Sequence, residues 1–284
     1  MSNKQQFSGS SVADTANDLS NFWADCPRGD IRNGSMRGWF HDDDFTEAPL
    51  IGTQTAQIGW NKGKVFATSG AFVVPATILN SIEYGGTNLQ LLSAAANDRH
   101  GYAQAYPSFF ITGNAATSNT LWMEARIALT SIANATTGLM LGLAEVDQLA
   151  LAAGVPFSTN DSIAITNTAS FIGFNKATTG LGVGNTAVSD RATSMTNIGA
   201  SEVTFAANTF VKLGMKYDIR GGTSMITFYV NGVKTTTRYT AANIAATTNL
   251  KANPLGLILA TIGGSAISTN SVHMDWWKCY QLAP

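Results

Sequence analysis

The sequence predicts an all-β fold: an antiparallel β-sandwich of jelly-roll type, with an extended N-terminal arm and one short helix. Three observations predict it. From Trp39 onward, short runs rich in Val, Ile, Phe, Tyr and Thr alternate with Gly, Asn and Pro signals, the rhythm of a sandwich. The chain holds 27 glycines together with abundant Thr, Asn, Ser and Ala. Thr suits a pleated surface, while Gly and Asn tolerate the positive φ of tight turns. About a dozen such runs exceed what one twisted sheet holds without curling or splitting, so two packed sheets are expected.

Residues 1–37 carry Ser, Asn, Asp and Gly with few apolar anchors, and show neither strand alternation nor a long helical stripe. They are expected to form the arm, ahead of a sandwich domain spanning 38–284. Within the arm, Phe22, Trp23, Cys26-Pro27 and Ile31 are the groups able to dock on a body, flanked by Arg28, Arg32 and Arg37. Two readings stand side by side: a strap packed on its own domain, or an arm reaching a neighbouring subunit. The second makes Phe22, Trp23, Arg28, Ile31, Arg32 and Arg37 the partner-contact residues.

Strands are expected at 63–67, 70–74, 89–92, 105–111, 120–129, 138–145, 162–166, 169–176, 210–218, 225–230, 233–239, 255–261 and 271–282. The clearest hairpin runs from Ile226 to Lys234, where Asn231-Gly232 supplies the two positive-φ residues of a type I′ turn between alternating flanks. The short helix is expected at 145–154, rich in helix formers and closed by Gly154 in the usual capping place. No repeat at solenoid or propeller periods interrupts the body.

Only 12% of the 284 residues are charged, and 17 Lys+Arg against 18 Asp+Glu leave a formal net charge of −1. No global field draws such a chain to phosphate backbones or anionic membranes, which argues against nucleic-acid and membrane partners. No run reaches the roughly 18 apolar residues of a spanning helix, and the first twenty residues lack the apolar stretch of a secretion signal. A soluble protein not exported by the usual route is expected. Cys26 and Cys279, near opposite ends, are read as reduced core cysteines rather than a bridge or a zinc site.

The body opens with Trp39-Phe40-His41-Asp42-Asp43-Asp44-Phe45 and closes with His273-Met274-Asp275-Trp276-Trp277-Lys278-Cys279-Tyr280-Gln281-Leu282. Between them lies a Phe-Tyr-Val-Asn-Gly-Val hairpin preceded by Val211–Asp218. Together these segments, about a fifth of the chain, resemble the concanavalin A-like, laminarinase-type jelly roll. The opening Trp23-Ala24-Asp25-Cys26-Pro27, followed by Trp39 and Asp43-Asp44-Phe45, resembles a type of tailed-bacteriophage virion protein. That second resemblance implies a noncatalytic capsid decoration, or cement, protein. Its partner would be the major capsid protein, its form a homo-oligomer, and its place the capsid surface after synthesis in the host cytoplasm. A lectin-like or receptor-binding protein that holds a glycan is the alternative.

Catalysis by a laminarinase-type mechanism requires Glu-x-Asp-x-x-Glu or a close variant, whose period-two spacing sets the carboxylates on one sheet face. Glu145-Val146-Asp147 matches the first half, but Leu149 or Ala150 stands where the acid belongs, so no enzyme is expected. His41, His100 and His273 lie in no metal or nucleophile-elbow pattern, and Asp98-Arg99-His100 reads as a solvated loop. Thr179–Asn185 has the glycines of a phosphate loop without its Lys-Ser/Thr, and reads as a hairpin loop. Asp42 and Asp44 are the pair of the acidic run that shares a strand face, and a cap or loop role is expected rather than calcium binding. No cofactor is expected. Trp60, Trp122, Trp276 and Trp277 are read as core residues before sugar-stacking platforms, and alternation should bury one of Trp276-Trp277 and leave the other near the surface.

Overall fold

A computed structural model describes residues 21–43, 63–67, 72–73, 89–93, 96, 99–104, 106–113, 120–146, 169–191, 195–219, 224–266 and 270–283. The strands are β1 (Gly38–Asp43), β2 (Gly63–Ala67), β3 (Phe72–Val73), β4 (Leu89–Ser93), β5 (Arg99–Gln104), β6 (Leu121–Leu129), β7 (Thr137–Ala144) and β8 (Phe171–Lys176). They continue with β9 (Val183–Ser189), β10 (Thr196–Thr204), β11 (Val211–Asp218), β12 (Met225–Val230), β13 (Val233–Tyr239), β14 (Gly256–Gly263) and β15 (Asn270–Leu282). Two short helices, α1 (Arg28–Arg32) and α2 (Ala241–Ala246), complete the described elements with a 3₁₀ turn at Asn21–Trp23.

The strands form two antiparallel sheets, as the sandwich reading requires. One has eight strands in the order β13-β12-β11-β6-β15-β4-β3, with β1 also paired to β15; the other has seven, β10-β9-β8-β7-β14-β5-β2. β15 organises the first sheet. β6 runs along one of its edges, while β4 (against Asn270–Met274) and β1 (against Trp277–Leu282) share the other end to end. A register shift between Met274 and Trp276 lies between those two partners. Its effect is to place Val272 and Met274 before it, and Trp277 and Cys279 after it, in the same buried cluster. Trp277 is fully buried and Trp276 only partly, as strand alternation led one to expect.

The core lies between the sheets. Leu121, Met123, Ala125, Ile127 and Leu129 of β6 meet Leu139, Leu141 and Leu143 of β7 and Leu257 and Leu259 of β14. Each such leucine contributes about 1.5–3 kcal/mol by leaving water. The outer face of the seven-stranded sheet is also apolar and buried, through Ala103, Met140, Ala144, Phe171, Ala187, Ile258, Ala260 and Ile262. Burial on both faces is why β7 and β14 read as continuous apolar runs rather than alternating ones. At the centre of that sheet Gly142 and Gly173 face each other in register. A Cβ on Gly142 would stand 2.2 Å from the Ile172 carbonyl oxygen, so only glycine permits this approach.

Several expectations change. Residues 21–37 are not extended where described: a 3₁₀ turn and α1 fold them onto the eight-stranded sheet, because Phe22, Trp23, Cys26 and Ile31 find apolar partners there. The Asp98-Arg99-His100 loop reading fails for Arg99 and His100, which open β5 between β2 and β14, with His100 buried. The strand expected at 105–111 accordingly lies upstream; Phe109 keeps an isolated bridge to Leu255. β9 and β10 were not anticipated. Of the helix expected at 145–154 only Glu145 and Val146 fall among the described residues, as none of the 162–166 strand does. The Asn231-Gly232 turn has φ of 52° and 80°, the type I′ signature. Cys26 and Cys279 are free and buried.

Candidate functional site

Alternation along the eight-stranded sheet gives its outer face Trp122, Glu124 and Arg126 from β6, Lys212, Gly214 and Lys216 from β11, Lys278 and Tyr280 from β15, and Phe40 and Asp42 from β1. In a chain with so little charge, this is where charge and aromatic rings converge. The 21–32 segment lies across it as a strap. Phe22 sits over Gly214, whose missing side chain makes the space: a Cβ there would lie 3.2 Å from the Phe22 ring. Phe22 meets Trp23 and Tyr229 edge-on at 5.0 and 4.8 Å. Trp23 meets Tyr280 at 5.8 Å, and Ile31 covers Gly38.

Polar bonds fix this apolar docking in register. The Trp23 indole Nε1 donates to Glu124 Oε2 at 2.6 Å, and Trp122 Nε1 donates to Asp25 Oδ1 at 3.0 Å. Lys216 Nζ binds Asp25 Oδ2 at 2.6 Å, and Arg32 and the Tyr280 hydroxyl reach Asp42 Oδ2 at 2.8 and 2.7 Å. Burial pushes the Glu124 carboxyl above the usual carboxylate range, against the pull of the Trp23 bond and of Lys212, Arg28 and Lys278. Burial likewise raises the Cys26 thiol and, together with the neighbouring Asp42, the Tyr280 phenol. Cys26 is thus a packing residue and not a reactive thiolate.

The six residues expected to contact a partner therefore separate. Phe22, Trp23 and Ile31 are buried against their own sheet, so the contact with a neighbour expected of them would require undocking the strap. Arg28 lies over the Trp23 ring at 5.0 Å, and Arg32 pairs with Asp42 while facing Phe40. The Arg37 side chain is exposed, with its carbonyl accepting from Ala283 N. Next to it Met36, Trp39 and Phe40 are exposed large apolar groups, 40%, 39% and 46% accessible, with Trp39 approaching Phe110 at 6.5 Å. Sequence reasoning missed this edge, because Trp39 and Phe40 looked like ordinary strand residues.

The other candidates fall to structural roles. Glu145 is fully buried, and its carboxylate accepts from Ser170 N at 2.6 Å and from Arg191 at 2.8 and 3.3 Å, bonds that tie β7 to the residues before β8 and after β9. Asp147 and Asp44 lie outside the described residues. Asp42 is occupied by Tyr280 and Arg32, in keeping with a structural role for the acidic run. His41 packs edge-on against Trp277, and His273 Nε2 bonds Ser271 Oγ at 2.9 Å, both buried. Burial depresses the His273 pKa to about 4. Trp122 lies buried beneath the strap, and Trp60 lies outside the described residues.

No family model matches the chain, and no curated protein matches it. Solved structures do. A protein of unknown function from Shewanella oneidensis aligns over 90% of this chain and 94% of its own, at a TM-score of 0.52 and 12% identity. Peanut lectin aligns over 87% and 99%, at 0.52 and 11%. An endo-1,3-beta-glucanase from Streptomyces sioyaensis aligns over 86% and 96%, at 0.51 and 16%. At such identities the likeness speaks for architecture alone, since one sandwich hosts lectins and hydrolases alike. The fold of this chain is the concanavalin A-like jelly roll.

Proposed function

We propose that this chain is a noncatalytic structural protein of a tailed-phage virion, a decoration or cement protein bound to the major capsid protein and assembled in several copies. The observation that carries the reading is the structural use of the Trp23-Ala24-Asp25-Cys26-Pro27 segment, on which the resemblance to virion proteins rests. Trp23 bonds Glu124, Asp25 holds Trp122 and Lys216, and Cys26 is buried between them, so the motif is a built part of the fold. The Glu145 carboxylate being locked by Arg191 and Ser170 supports a role in contact rather than bond cleavage. Binding would proceed by burial at an exposed edge such as Met36, Trp39 and Phe40.

The test is removal of residues 1–20, with the strap residues retained, combined with Trp39→Ala. The account expects a folded protein whose occupancy on particles falls at least tenfold. Undiminished occupancy would reject it.

A second reading, a glycan-binding domain, is favoured by the same exposed Trp39 beside Phe110, because an aromatic face complements the C–H face of a sugar ring. Saturable binding on a glycan array that disappears in Trp39→Ala would establish it in place of the first.

A further inference from the structure

We propose that the strap is a proton-controlled cover, which stays closed over the eight-stranded sheet while the Glu124 carboxyl carries a proton and loosens when that proton leaves. Glu124 stands in the middle of β6, between Lys278 of β15 and Gly214 of β11 in register. It is 3% exposed. One carboxyl oxygen, Oε2, accepts from the Trp23 indole; the other, Oε1, is buried with no hydrogen-bond partner among the described residues. An ionised carboxylate held this way keeps one oxygen out of water and unbonded, a cost that the neutral acid largely avoids.

The surrounding charges set the balance. From the strap come Arg28, over the Trp23 ring, and Asp25; from β11 come Lys212 and Lys216; from β15 comes Lys278 and from β1 Asp42. Lys216 is engaged by Asp25, and Arg32 and Lys278 approach Asp42 at 2.8 and 3.8 Å. Lys212, Arg28 and Lys278 favour the carboxylate, but burial outweighs them and holds the closed-state pKa above the ordinary value.

The sign follows. Lifting the strap returns Glu124 to water and to an ordinary pKa, so the closed form binds more protons than the open one. Closure is strongest at low pH and weakens as pH rises through the closed-state pKa. Each unit between the two pKa values is a tenfold change in the closing equilibrium. The joint for such a motion is in place: residues 33–37 are exposed between α1 and β1, with Gly34 at φ +71°. Opening would bare Trp122, Tyr280 and Tyr229, the aromatic floor beneath the strap.

The experiment is trypsin cleavage after Arg28 and Arg32 in the full chain between about pH 5 and about pH 9, normalised to a free peptide of residues 21–37 to remove the protease's own pH response. The normalised rate should rise at least tenfold across the range in the native protein and stay within about twofold in Glu124→Gln, whose neutral amide keeps an acceptor for Trp23. Asp25→Asn should retain the native slope. The Trp23 indole N–H resonance of the native protein should titrate with the same midpoint, a readout that does not require any variant to fold. A pH-independent cleavage rate, an unmoved Trp23 resonance, or a Glu124→Gln slope equal to the native one would overturn the proposal.

Discussion

Glu145 shows how a carboxylate that resembles half of a catalytic motif is used up by its surroundings. It sits at the end of β7, where its oxygens take the Ser170 amide and the Arg191 guanidinium. Glu145→Ala would strand a buried amide donor and is expected to cost about 1–3 kcal/mol, read by urea unfolding. Were Glu145 a nucleophile, the same change would also abolish a turnover, which an assay with candidate glucans would read. His273 gives a pH prediction. Its folded pKa of about 4 lies below the ordinary 6.5, so the unfolded chain binds the extra proton between those values. Its contribution to stability is therefore full above the ordinary value and is lost as pH falls toward about 4, at up to about 1.4 kcal/mol per pH unit. The unfolding free energies of the native protein and His273→Gln, compared across that window, should converge with acid if this is right and run parallel if it is wrong.

At the scale of elements, the strap carries the main consequence. Phe22 fills a space that Gly214 leaves open, so Phe22→Ala is expected to cost about 3–5 kcal/mol in thermal or urea unfolding. Removal of residues 1–36 should destabilise the body, whereas removal of 1–20 should not; equal stability of both truncations would show that the strap adds nothing. Gly142→Ala should prevent the β7–β8 pairing, visible as loss of soluble folded protein, because its Cβ has no room beside Ile172. What was legible followed physical regularity. Strands bounded by turns, such as the β12–β13 hairpin with its Asn-Gly turn, and β6, β8 and β15, could be read because periodicity and turn chemistry agree there. β10 was hidden by register shifts against β9 and a burial pattern that does not alternate, and β5 by the charged and glycine residues at its start. The strap was legible as a list of apolar anchors, with docking on its own domain as one of two readings that the residues left open. Its partners Trp122, Glu124, Gly214 and Tyr280 come from three strands that only the tertiary fold brings together.

At the scale of the whole molecule, the described residues form a two-sheet sandwich with an apolar core, one outer face apolar and buried and the other crossed by a bonded strap. Its low charge, its occupied carboxylates and its exposed Trp39–Phe40 edge fit a protein that works by covering others' surfaces, and this is the reading proposed for it in a virion lattice. Repeated contacts of modest size, summed over many copies, would stabilise such a lattice without a single tight site. The glycan-binding reading uses the same edge, so Trp39→Ala alone does not separate the two. Copy number does. Quantitative mass spectrometry of purified particles should find this chain at a stoichiometry comparable with the major capsid protein. Its absence from particles, or its presence at only a few copies, would contradict the account.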